Sequence, residues 1–208
     1  MSGVYIIAEA GVNHNGEREL AFNLIKAAAD AGADAIKFQT FNAKKLAGEE
    51  TEKANYQKMT TNKNQSQREM LLDLELSRDM HIELRKYALE QKIEFLSSPF
   101  DEDSLKFLVT LGVPILKVAS GELTNGPFLW KFGHSRKKII LSTGMATLSE
   151  VERGLAILSH AFNFDIEPNN LDEVWTCWAD ASNREIIREK VTLMHCTSQY
   201  PTPFSEVN

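Results

Sequence analysis

Three short apolar runs carry charge where a buried strand would offer it no water. VYIIAEA (4–10), AIKFQTF (35–41) and ILKVASGE (115–122) hold Glu9, Lys37, Lys117 and Glu122. A charged group inside such a strand is costly unless something pairs with it. Four in comparable positions predict a shared polar pocket, and α/β enzymes place their chemistry at strand C-termini.

The rest of the chain alternates in the same way. Leu20, Leu24, Ile25 and Ala28 form a helical stripe between Gly16 and Ala31, with Gly32 as a stop. Ser77 is placed to cap a helix running to about Gln91, and Asp101 to open one closed by Gly112. Thr147-Leu-Ser-Glu150 reads as a capping box, with Val151, Leu155 and Leu158 behind it. Further strands are expected in IEFLSSPF (93–100), IILSTGM (139–145) and VTLMHCTSQY (191–200). Their unbroken apolar character is that of a parallel sheet buried on both faces.

Two segments break the rhythm. Residues 42–70 are polar, with Lys44, Lys45, Asn55, Thr60, Thr61 and Gln65, and are long enough for a lid loop; a plain surface loop is the alternative. Residues 160–190 are read as an inserted helix capped by Asn170, with Leu171, Val174, Trp175 and Trp178 packed on the outside of the domain.

Bulk properties narrow the partners. With 208 residues and a formal net charge of -6, the chain suits one sizeable domain and disfavours nonspecific binding to nucleic acid or an anionic membrane. Cys177 and Cys196 lack C-x-x-C spacing and fit a reducing compartment. The N-terminus has no secretory-signal pattern, and no apolar stretch approaches membrane-span length. A cytoplasmic protein is expected.

Alternation puts Lys37 and Gln39 on one face of their strand, with Ile36 and Phe38 on the other. Lys37 is either a structural partner of Glu9 or an anion-binding ammonium; Lys117 repeats the arrangement on another strand. Two converging lysines repel unless an anion joins them, and phosphate or carboxylate is the natural guest. Ser98, Ser120, Ser142 and Thr143 near strand C-termini add a hydroxyl cradle, and Gly121, Gly126 and Gly144 allow close backbone approach. Glu9 and Glu122 serve either acid–base chemistry or neutralisation of the lysines. His195 is a core or a catalytic histidine, and His14 stabilises its turn or reaches the site. Tyr200, before Pro201, is placed to offer its hydroxyl to substrate. No pair of histidines has metal-ligand spacing, and neither a GxGxxG nor a Walker A pattern is present.

IIAEAGVNHNG (6–16), IKFQTF (36–41), FLSSPFDE (95–102), LKVASGE (116–122), ILSTGMATL (140–148) and HCTSQYPTPFSEVN (195–208) together resemble the sialic acid synthase family, in order, over nearly the whole chain. The resemblance implies an N-acetylneuraminate or legionaminate synthase of carbohydrate and polysaccharide biosynthesis. Such an enzyme is a transferase that condenses phosphoenolpyruvate with an N-acylated mannose-type sugar into a nine-carbon sialic-type 2-keto acid, releasing phosphate. Lys37, Ser98, Lys117 and Ser120 match positions that hold the phosphate and carboxylate of phosphoenolpyruvate. Gln39 and Tyr200 match sugar-holding positions, and Glu9 and Glu122 match acidic residues important for catalysis. Ser142 lies in the matching STGM strand, and Ser198 stands where some members carry asparagine.

The implied fold is a (β/α)8 TIM-type barrel. Such a barrel takes about 250 residues, so this chain is expected to be its incomplete N-terminal part, about the first six βα units, inactive as a synthase alone. A divalent metal, Mn or Mg, is implied for the full-length enzyme, with its ligands beyond residue 208; a homodimer is implied at full length. Two other readings remain open: a Schiff-base aldolase using Lys37 or Lys117, and a non-catalytic phosphoenolpyruvate-binding or regulatory fragment.

Overall fold

Within each sheet the apolar runs become parallel strands because the intervening helices return the chain to the same end. The computed structural model describes residues 3–46, 66–197, 200 and 202–207. The chain divides into two compact units, Met1–Val113 and Pro114–Asn208.

The first unit runs β1 (Ile7–Gly11), α1 (Arg18–Asp30), β2 (Ala35–Thr40), α2 (Ala43–Leu46), α3 (Gln67–Leu74), α4 (Arg78–Glu90), β3 (Glu94–Pro99) and α5 (Glu102–Leu111). Its sheet has the order β1-β2-β3, all parallel. Ser77 and Asp101 accept from the backbone N–H of Met80 and Ser104 as the sequence predicts, relieving the orphan donors of a helix start. Ile36 and Phe38 are buried beneath the helices with Leu84 and Phe95, while Lys37 and Gln39 stay on the opposite face. Gly16 has φ +76, and a Cβ there would stand 2.2 Å from the Asp73 carbonyl oxygen, so only glycine closes this first strand–helix turn.

The second unit runs β4 (Ile115–Val118), α6 (Gly126–His134), β5 (Lys138–Ser142), α7 (Leu148–Asn163), α8 (Leu171–Ala179), α9 (Ala181–Lys190) and β6 (Val191–Met194). Its parallel sheet has the order β4-β5-β6. The Thr147–Glu150 capping box forms in full at the start of α7.

Four expectations need correction. The run 191–200 is a strand only to Met194, and Leu193 and Met194 are exposed; Val4, Tyr5 and Ile6 are exposed before β1 as well. Strands β1 and β6 carry half-buried and exposed positions, so burial on two faces, which describes β2 to β5 better, does not extend to them. The insertion is two helices, α8 and α9, with Asp180 capping the second. Its buried face is Val174 and Cys177, whereas Leu171 and Trp175 are exposed and the Trp178 indole N–H donates to Glu152 at 3.1 Å. The segment 42–70 is helical at both margins, where Ser66 and Glu69 form a capping box; its middle, including Asn55, Thr60, Thr61 and Gln65, lies outside the described residues. Gly126 starts α6 and faces Ile157, so its small size serves helix packing and not a ligand.

Helices α6 and α7 meet closely at Gly133, where a Cβ would fall 2.6 Å from the Ala161 Cβ and 3.2 Å from the Leu158 carbonyl oxygen. Alanine is favoured over glycine in a helix by about 1 kcal/mol, but forcing a methyl into a filled interface costs roughly 1–3 kcal/mol. Gly133→Ala is therefore expected to lower the urea midpoint; a rise would show that α6 and α7 separate freely.

Candidate functional site

The strand ends carry two polar clusters, one in each unit. In the first, parallel register sets Glu9 beside Lys37 and Gln39 beside Ser98. The Lys37 ammonium forms an ion pair with the Glu9 carboxylate and reaches the Ser98 hydroxyl at 3.5 Å. Lys37 is mostly buried while Glu9 is half exposed. The register slips between Glu9 and Gly11, and a Cβ at Gly11 would lie 3.2 Å from Glu9 Oε1. The bulge and the missing side chain thus leave room for the carboxylate to turn toward Lys37.

A buried chain of hydrogen bonds supports this cluster from behind. His81 on α4 bonds the Thr40 hydroxyl at 2.8 Å, and Thr40 bonds Ser97 at 2.7 Å. The His81 Nδ1–H donates to the Ser77 carbonyl at 2.9 Å, leaving Nε2 as the acceptor in the neutral ring. His14 is fully buried: its Nδ1 accepts from the Gly16 N–H at 3.0 Å, and its Nε2 has no hydrogen-bond partner. It is a turn-holding residue, the milder of its two sequence readings.

The second cluster surrounds Lys117, which is 6% exposed. Its ammonium donates to the Ser142 hydroxyl at 2.5 Å and to the Val118 carbonyl at 2.8 Å. Ser120 accepts from the Gly144 N–H at 3.0 Å, and the Cys196 thiol donates to Ser142 at 3.1 Å. A Cβ on Gly144 would stand 3.0 Å from Ser120 Oγ, 3.3 Å from the Thr197 carbonyl oxygen and 3.4 Å from the Cys196 Cβ. The close approach at Gly144 is to this chain's own residues, whereas the sequence expectation was of approach to a ligand.

Not every candidate joins a cluster as expected. Glu122 does not neutralise Lys117: strand β4 ends at Val118, the chain coils into a 3-10 turn over Ser120–Glu122, and the Glu122 carboxylate accepts from Asn125 at 2.9 Å. Thr143 clips β5 to β6, its hydroxyl donating to the Met194 carbonyl at 3.0 Å. Gly121 is exposed with nothing near it. His195 lies past the end of β6 and is exposed, so it is not a core residue. The Tyr200 ring is exposed, and its hydroxyl accepts from the Thr197 N–H at 3.2 Å. Ser198 lies outside the described residues. Cys196 is the site residue that sequence reasoning passed over; its position beside the STGM serine depends on the β5–β6 register, which no local motif reveals.

The NeuB family model matches residues 24–208. The chain belongs to the NeuB family. It is 46% identical to an N,N'-diacetyllegionaminic acid synthase of Campylobacter jejuni, covering 100% of this chain and 55% of that one. Identity to the Legionella pneumophila protein of the same name is 42%, covering 98% and 51%. Among solved structures, an N-acetylneuraminic acid (sialic acid) synthetase from Leptospira borgpetersenii, in complex with citrate, superposes with a TM-score of 0.76 at 30% identity, covering 100% of this chain and 59% of that one. This NeuB-family chain is thus a TIM-barrel-like α/β protein with parallel sheets, spanning about half the length of the curated relatives it matches.

Among the described residues no three His, Cys, Asp or Glu side chains group in a way that would hold a metal ion. No chemical step below passes through the divalent metal that the resemblance implies. No described helix is long and apolar enough to cross a membrane.

Burial holds His81 and His14 below the ordinary histidine pKa of 6.5, with His81 adding to the effect on His14. The unfolded chain then binds more protons than the native one as pH falls through that value, so stability present above it is lost below it. The slope approaches about 1.4 kcal/mol per pH unit for each histidine. Urea midpoints are expected to be lower at about pH 5.5 than at about pH 7.5; equal midpoints would mean that these rings are not held neutral.

Proposed function

We propose that this NeuB-family chain contributes phosphoenolpyruvate-handling residues to a synthase of the sialic acid type, making a nine-carbon 2-keto acid from an N-acylated mannose-type sugar. The observation that carries the proposal is the Lys117 ammonium, almost wholly removed from water and held by the neutral oxygens of Ser142 and Val118. A desolvated cation beside hydroxyls at strand C-termini is a preorganised seat for an anion. The fold that this reading entails is the (β/α)8 barrel, of which β1 to β6 are six strands.

In the proposed reaction C3 of phosphoenolpyruvate attacks the aldehyde carbon of the open-chain sugar, forming the new C–C bond. Water adds at C2, the C2–O bond to phosphorus breaks, and inorganic phosphate leaves. Lys117, Ser120 and Ser142 are assigned to anionic groups of phosphoenolpyruvate, and so, from the sequence resemblance alone, are Lys37 and Ser98. Gln39 and Tyr200 are assigned to the sugar, and Ser198 to a phosphate contact. Glu9 pairs with the Lys37 ammonium and orients it, and Glu122 is assigned to proton handling. The names of the two synthases above, 46% and 42% identical, support a diacetyllegionaminic product over other sialic-type acids.

Calorimetric titration of the 208-residue chain with phosphoenolpyruvate is expected to give saturable binding. Lys117→Met should weaken it by tenfold or more, because a charged hydrogen bond contributes about 1.5–3 kcal/mol. Binding untouched by Lys117→Met and by Lys37→Met would overturn the assignment. Borohydride trapping of a 2-keto acid on either lysine would replace it with Schiff-base aldolase chemistry.

A further inference from the structure

The Ser142 hydroxyl sits in an arrangement that decides where its hydrogen points. Lys117 is a donor without acceptor capacity, so in the 2.5 Å contact Ser142 Oγ is the acceptor. The Cys196 thiol donates to the same oxygen at 3.1 Å. A serine hydroxyl has two lone pairs and one hydrogen; with both lone pairs occupied, the hydrogen is directed away from Lys117 and from Cys196. Ser142 is 5% exposed, so that donor is withheld from bulk water.

The register explains how a thiol reaches this place. Ser142 pairs with Met194 across β5 and β6, and Cys196 follows two residues later, where the chain has left the strand. A Cβ on Gly144 would stand 3.4 Å from the Cys196 Cβ, so the glycine lies beside the place the thiol occupies against Ser142.

We propose that Cys196 is a positioning residue of the Lys117 cluster: its thiol fills the second lone pair of Ser142 and so turns the serine hydrogen toward the bound anion. Without the thiol, the Ser142 hydroxyl is free to rotate its hydrogen into the vacated direction, and the anion loses an aimed donor. The thiol itself does not touch the anion. This inference rests on the reading that the cluster binds phosphoenolpyruvate, and the test separates the two.

The test is a double-mutant cycle on the 208-residue chain, with phosphoenolpyruvate as the titrant in calorimetry. Ser142→Ala is expected to weaken binding by about tenfold and Cys196→Ala by about fivefold, values in the range of one lost or misdirected hydrogen bond. Cys196→Ser, which keeps a donor at this position, should stay within about twofold of the native protein. In the Ser142→Ala background, Cys196→Ala should cause no further loss, because there is no hydroxyl left to orient. A merely structural cysteine would give additive losses, and either additivity or an unaltered affinity in Cys196→Ala overturns the proposal while leaving the phosphoenolpyruvate reading intact. An unaltered affinity in Ser142→Ala refutes the anion reading of this cluster, and the role of Cys196 with it.

Discussion

Burial of the Lys117 ammonium is the constraint on which the second unit's site depends. An ammonium taken from water loses several kcal/mol of hydration even after relaxation, and the lysine here is 6% exposed. The Ser142 hydroxyl and the Val118 carbonyl restore part of that loss through short contacts. Both are uncharged acceptors that satisfy hydrogen bonds of the ammonium. The strand therefore presents an oriented cation whose field is strengthened by low surrounding polarity, which is the condition an anionic substrate exploits.

Lys37 solves the same problem differently. Its ammonium is joined to a carboxylate, Glu9, directly opposite in the parallel register. Charge is compensated on the spot, and half of that carboxylate remains in contact with water. The two lysines look alike in sequence yet differ in their described contacts: Lys37 meets a carboxylate and a hydroxyl, Lys117 a hydroxyl and a backbone carbonyl. The difference traces to what each neighbouring strand carries. Glu9 lies on β1 beside β2, whereas the strand beside β4 presents Ser142.

Local signals were legible where a short stretch of chain satisfies itself. The caps at Ser77, Asp101, Thr147 and Asn170 all form as their side chains require, because a cap needs only a hydroxyl, carboxylate or amide and the backbone three residues on. The face alternation of β2 was equally legible, since the pleat enforces it. Reading failed where partners come from elsewhere in the chain. Trp175 and Leu171 look like a core stripe, yet Val174 and Cys177 face inward because α7 and α9 meet that side. Neutralising the lysines was one of two readings for Glu122, and a single 3-10 turn gave it Asn125 as a partner.

By itself the sequence determined the alternation of strand and helix, the caps and the identity of the charged residues inside the strands, because periodicity and composition act over a few residues. Its ordered motifs also carried the family. Only the tertiary structure decided which charge meets which partner. Register between strands, set by the helices that return the chain, brings Lys37 to Glu9 and Cys196 to Ser142 across long stretches of sequence. Such pairings depend on burial and on neighbouring strands, and no local pattern encodes either.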